Sequence, residues 1–185
     1  SEAILLPTLI REVMNLPTLP YRIVPGLSEL AKAEMDGLAN HAGKVACLTD
    51  GDPGGAEILK QVEESGAIDK GGLFSLSAVA DGCTLEDLVD AEVFAHAVNL
   101  ELETWGITQS RLTSADIPAT GRSAALRAWC EANGGDPGRL NKNRIAQRVV
   151  DLRSSGDDGS EPRTVVAADV VEAVRTLHQG VAKAL

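Results

Sequence analysis

Apolar residues at Ile4, Leu5, Leu6, Leu9, Ile10 and Val13 keep close to a 3.6-residue spacing and predict a helix over Glu2–Met14. Pro7 is tolerable there if it lies in the first turn, and Pro17 and Pro20 end the element. The pattern then shortens. "YRIVPG", Tyr21 to Gly26, reads as a strand closed by Pro25 and Gly26, and Ser28 stands where it caps a following helix, "SELAKAEMDGLANHAG". "KVACLTD" is a second strand, apolar enough to be covered on both faces. "GGAEILKQVEESG" is amphipathic, with Ile58, Leu59 and Val62 facing inward and Gly66 stopping it. "GLFSLS" is a third strand. This alternation predicts an α/β fold built on a parallel sheet. After "TLEDLVD", Thr84 to Asp90, a helix is expected over Ala91–Trp105, and the rest of the chain is helical in pattern without a convincing strand. "ANGGDPGR" and "RSSGDDGSEPR" read as loops. The expected organisation is a core over residues 1–99 and a helical appendage over 100–185 that packs on it. There is no internal repeat.

Composition narrows the classes. Aromatics are 3% of 185 residues and hydrophobics 44%, so Leu, Val, Ile and Ala must fill the core. Lys and Arg number 17 against 27 Asp and Glu, a net charge of −10 that disfavours a general nucleic-acid or anionic-membrane coat but permits a local basic strip. Cys47, Cys83 and Cys130 share no metal-ligand spacing and read as reduced structural thiols of a cytoplasmic protein. No run has the length of a membrane span, and no signal-peptide pattern is present. The opening "SEAILLPTLIREV" reads as a piece of something longer.

The candidate chemistry lies in "VACLTDGDPGG". In open parallel sheets, ligands sit beyond the carboxyl ends of the strands. Asp50 and Asp52 fall at such an end, one residue apart, and hard cations such as Mg²⁺ prefer oxygen ligands. Gly51, Gly54 and Gly55 allow a tight turn and close approach of a phosphate. The plainer alternative is an Asp-Gly turn with Asp52 capping the next helix. Arg139, Lys142, Arg144, Arg148 and Arg153 form the one basic concentration, with Arg144 and Arg148 on one helical face. They suit DNA phosphates, or else a solvated face that balances Asp151 and the acidic loop beyond. With no aromatic expected nearby, the reading is backbone contact without base stacking. His41, His96 and His178 give no zinc pattern and are expected at the surface or half-buried. No Walker lysine loop occurs.

Taken in order, these segments resemble the TOPRIM domain and, more closely, the OLD (overcoming lysogenization defect) family of bacterial ATP-dependent nucleases. Ser1 and Glu2 with the helix after them resemble the end of that family's E-G-x-S-E motif, whose first Glu would lie upstream of this sequence. "LTDGDPGG" resembles its Asp-x-Asp strand end, "LEDLVDAEVFAHAVN" its Glu-Asp-Leu segment, and "LNKNRIAQRVV" its late lysine segment. The resemblance is strongest from Ser1 to Asn99 and weakens across Leu100 to Leu140. It implies a TOPRIM-like parallel sheet flanked by helices, with its first strand upstream. It also implies a two-metal DNA endonuclease using Mg²⁺ or Mn²⁺. By the same resemblance Glu2, Asp50 and Asp52 are metal ligands, Glu86 and Asp87 serve a second metal or its waters, and Lys142 faces the scissile phosphate. Asp50, Glu2 and Lys142 would carry catalysis, and Arg139, Lys142, Arg144 and Arg148 would hold DNA. ATP would act only through an ABC-type ATPase domain elsewhere in the full-length protein. A homodimer is compatible with the family, a membrane partner is not, and phage defence or DNA repair is the implied setting.

Two rivals stand beside this reading. One keeps the TOPRIM core and assigns primer synthesis, strand passage or RNA cleavage; Tyr21, the single tyrosine, is a poor transesterifying group if it lies on a buried strand. The other is a non-catalytic dimerisation or docking module of a larger machine.

Overall fold

The structure, a computed structural model, describes residues 2–26, 44–107, 109–154 and 163–185. The expected helix after Ser28, His41 and most of the loop "RSSGDDGSEPR" lie outside the described residues.

Helix α1 spans Glu2–Met14, as the apolar spacing predicts. Pro7 sits in its second turn rather than its first, which removes the bond its N–H would make to Ala3. Burial of Leu5, Leu6, Leu9 and Ile10 offsets that loss, each side chain contributing about 1.5–3 kcal/mol. Strand β1 (Cys47–Thr49) runs into α2 (Pro53–Ser65), and the chain returns as β2 (Leu73–Ser75). The strands pair in parallel, Cys47 opposite Leu73 and Thr49 opposite Ser75, so α2 is the crossover. Gly66 ends α2 at φ 68°, a left-handed conformation that costs glycine least. Val62 and Cys47 are buried between α2 and the sheet, packed by Ile58, Leu59, Ile68 and Leu73.

The α/β class is as expected, but the sheet is smaller than the alternation implies. Among the described residues it has two strands. Tyr21–Gly26 is not a strand: Pro20 and Pro25 flank it without backbone donors, and Tyr21 turns its hydroxyl to His178 Nδ1 at 2.7 Å. His178 is itself buried, contrary to its expected place, and burial lowers its pKa.

The remaining elements are α3 (Ala91–Thr104), α4 (Arg122–Ala132), α5 (Lys142–Ser154) and α6 (Val171–Ala184). One large core joins them to α1: α3 packs on α5, and α1 packs on α5 and α6. The sequence shows no strand late in the chain, yet Val89 and Val166 form an antiparallel bridge, with Asp90 N–H on Val165 O at 2.7 Å and Ala167 N–H on Leu88 O at 3.0 Å. Glu12 fixes this segment. Its Oε1 accepts from Val165 N and Val166 N, both at 2.9 Å, and its Oε2 from Arg153 Nε at 3.0 Å. Arg153 is therefore committed to the fold rather than to the basic strip. No helix among the described residues is long and apolar enough to cross a membrane.

The turn Thr84–Asp90 is held from below by two charges. Asp87 Oδ2 accepts from Thr84 N (2.8 Å), Thr84 Oγ1 (3.1 Å) and Gly121 N (2.9 Å), and Oδ1 from Arg122 N at 2.9 Å. In return the buried Arg122 side chain donates to the carbonyls of Glu86, Val89 and Pro118. Replacing Asp87 by Ala strands these donors in the interior. We expect a loss of about 3 kcal/mol in chemical denaturation, where a carboxylate used only for metal would show little change without metal.

Candidate functional site

The loop after β1 is built by its glycines. Gly51 donates to Cys83 O at 2.6 Å, and a Cβ there would lie 2.6 Å from Ser77 N. A Cβ at Gly55 would lie 2.1 Å from Asp50 O, so neither position admits a side chain without rearrangement. Gly54 is open. The tight turn is as predicted, and the crowding that requires it comes from the chain's own backbone.

This packing brings Asp50 to the turn that carries Glu86. Asp50 Oδ1 accepts from Leu85 N at 3.1 Å, and its backbone carbonyl from Ser75 Oγ at 3.3 Å. Burial, together with the charges of Glu86 and Asp52, pushes the Asp50 carboxyl up to about 6, against the opposing pull of the Leu85 amide and Lys142. Asp52 caps α2 through Oδ1 and Gly55 N at 2.7 Å, the plainer role considered for it, while its charge still acts on Asp50. The Glu86 side chain is 11% exposed and meets Lys142 Nζ at 3.5 Å. Glu2, exposed at the start of α1, also feels Lys142. Burial raises its pKa, but its own backbone N–H and the neighbouring cations, Lys142 among them, outweigh that and leave it lowered. Three distant segments thus bring carboxylates near Lys142: Glu86 pairs with it, Asp50 and Glu2 feel its charge, and Asp52 reaches this group only through its charge on Asp50.

Asp87 does not join them. Both of its oxygens serve the clamp described above, so its place is in the turn and not among metal ligands. No three His, Cys, Asp or Glu among the described residues stand close enough to hold one ion as they lie.

The basic residues divide as well. Arg139, Lys142 and Arg144 line an open groove of about 700 Å³ that Glu2 also borders, while Arg148, half-buried one turn along α5, is not part of its lining. Three of these charges are already matched: Arg139 lies 3.7 Å from Asp136, Arg144 Nε lies 3.1 Å from Glu101 Oε2, and Lys142 has Glu86.

The expectation of no aromatic nearby is overturned. Trp105, 42% exposed at the end of α3, lies in this groove with the guanidinium of Arg139 at 5.9 Å and that of Arg144 at 6.0 Å from its ring. Glu101, fully buried beneath it, was also missed. The signals were present: Trp105 ends a predicted helix in a chain with two tryptophans, and Glu101 falls on that helix's apolar face beside Val98 and Leu102.

The three thiols are free and buried, and burial raises Cys47 and Cys83 to about 11, which leaves them inert. No protein-family model, curated protein or solved structure matches the chain.

Proposed function

We propose that this chain is the TOPRIM-type nuclease region of an OLD-family protein, and that it hydrolyses DNA phosphodiesters with Mg²⁺ or Mn²⁺. The supporting observation is that Glu86, Asp50 and Glu2, from three distant segments, all feel the charge of Lys142, with Asp52 acting on Asp50 and the basic groove alongside. The donors fit hard divalent cations in kind, since all are carboxylate oxygens and the mutual repulsion felt at Asp50 is what a cation relieves. Asp50, Asp52 and Glu86, with Glu2 beside them, would hold the ions. When bound, such a pair activates the attacking water and stabilises the leaving oxygen.

The chain's own residues do the rest. Asp50 is raised to about 6 in the ion-free site, so a bound cation would displace its proton and keep it as a carboxylate ligand. Lys142, anchored by Glu86, offers a compact positive charge to the phosphoryl oxygens as negative charge builds on them. Arg139 and Arg144 hold flanking phosphates. ATP enters only through an ATPase domain of the longer protein that the resemblance implies.

The Lys142–Glu86 ion pair and the lack of a three-ligand cluster among the described residues favour a second reading, a non-catalytic docking module. Calorimetric titration with Mn²⁺ separates the two, because the docking reading takes over if no heat of binding appears.

Asp50→Asn is expected to lower Mn²⁺-dependent cleavage of plasmid DNA by roughly 10²-fold or more while the protein stays folded. Full retained cleavage would remove the proposal. In the unchanged protein, Mn²⁺ binding should weaken as pH drops through about 6, where a proton competes with the cation for the Asp50 carboxylate of the ion-free site.

The same shift sets the direction of a stability test. A carboxyl with a raised folded-state pKa penalises the fold above that pKa, and the penalty fades as acid protonates it in the folded state. Asp50→Asn should therefore stabilise the protein at pH 8 by about 1 kcal/mol, discounted for solvent at a half-buried side chain. Urea unfolding between pH 8 and pH 4 should show that gain vanish on acidification.

A further inference from the structure

Trp105 is fixed more firmly than a stray surface tryptophan. Its indole N–H donates to Glu101 Oε1 at 3.2 Å, and Glu101 has no exposed surface. The other oxygen of that carboxylate lies 3.1 Å from Arg144 Nε but has no aligned hydrogen bond, so a buried charge is held beneath two exposed side chains. Arg144 is tethered further by Thr104 Oγ1 at 3.4 Å. Burying a carboxylate is unfavourable, and the core gains little from a half-wet indole in exchange. What the arrangement achieves is orientation, with the indole set in the groove and the guanidiniums of Arg139 and Arg144 over its ring.

We propose that this groove is a stacking site for an unpaired DNA base, which lies against Trp105 while the adjoining phosphates meet Arg139 and Lys142. Every base has a π-face, so an aromatic platform beside a cationic track recognises single strands without reading sequence. The groove has the volume for a nucleotide and is lined by cations in an otherwise acidic chain. Arg139 is the cation a phosphate can draw away, because its contact with Asp136 is long and exposed on both sides. Arg144, tied to Glu101, stays beside the ring. Glu2 on the rim opposes the polyanion and makes tight duplex binding across the whole groove less favourable than a single strand following its basic side.

The inference rests on the proposed function only in taking DNA as the ligand, and its test needs no cleavage. With EDTA present, anisotropy titrations would compare a labelled 12-nucleotide oligothymidylate with an abasic chain of the same length. The intact strand is expected to bind about tenfold more tightly. Trp105→Ala should bring the intact strand to the abasic level and leave abasic binding unchanged, whereas Trp105→Phe should keep most of the preference. Equal affinity of the unchanged protein for the two strands would overturn the proposal whatever the variants do. So would a Trp105→Ala variant that weakens both strands alike, which would mark a merely structural residue. If instead stacking is found but Asp50→Asn leaves cleavage intact, the nuclease assignment fails and the stacking site stands.

Discussion

The reciprocal hold between Asp87 and Arg122 is the constraint on which the rest of the site depends. The Asp87 carboxylate ties the backbone of Thr84 to that of Gly121 and Arg122, and the Arg122 guanidinium ties the carbonyls of Glu86 and Val89. Each is buried and each satisfies the other's segment, so neither charge is left alone in the interior. A short 3₁₀ turn is thereby made rigid enough to face its neighbours with fixed groups. From its upper side the Leu85 N–H reaches Asp50 and the Glu86 carboxylate reaches Lys142. Just beyond it, Val89 pairs with Val166 and Asp90 caps α3. The acidic residues of "LEDL" therefore split although both are buried: Asp87 builds the turn, and Glu86 is directed to Lys142.

The same use of carboxylates within the fold recurs, half-buried at Glu12 and fully buried at Glu101. Glu12 joins α1 to the Val165–Val166 segment and to Arg153. Glu101 holds Trp105 and Arg144 at the groove. In an aromatic-poor chain, small aliphatic side chains supply burial but little directional information, and these charged links supply the direction instead. A negative net charge in this protein consequently says little about its partners, because part of the acidity is spent inside.

Helices were the most legible part of the sequence. The periods of α1, α2 and α3 are plain, and Gly66 marks the end of α2 as a left-handed cap. The strand reading failed at Tyr21–Gly26, a run that resembles a strand although Pro20 and Pro25 at its two ends offer no backbone donor to a ladder. Nor is a one-residue bridge such as Val89–Val166 visible in any local pattern, since its partners are 77 positions apart. Within the site, the convergence of Asp50 and Glu86 was suggested by motif order, but the diversion of Asp87 into the turn was not. The donors that claim it belong to Thr84, Gly121 and Arg122, and two of these are distant in sequence. Trp105 and Glu101 escaped for a related reason: their meaning lies in a contact with α5, and periodicity within α3 describes only α3.

The energetics of the carboxylate cluster bear on why Lys142 stands where it does. Asp50 is destabilised as an anion by burial and by Glu86, and the stabilising contacts are one amide and one ammonium. Without Lys142, Asp50 would take up its proton at still higher pH, and Glu86 would lose its counter-ion at a nearly closed position. Lys142 is nevertheless more than half exposed and begins a helix, so it is held loosely by comparison with Arg122 beneath the same turn. A cation that balances nearby carboxylates from an exposed position is suited to exchange partners when a ligand brings charge of its own. Arg122, locked to backbone carbonyls, is suited only to hold shape. The turn thus separates a permanent charge balance below from an exchangeable one above, and it is the exchangeable side on which the proposed chemistry draws.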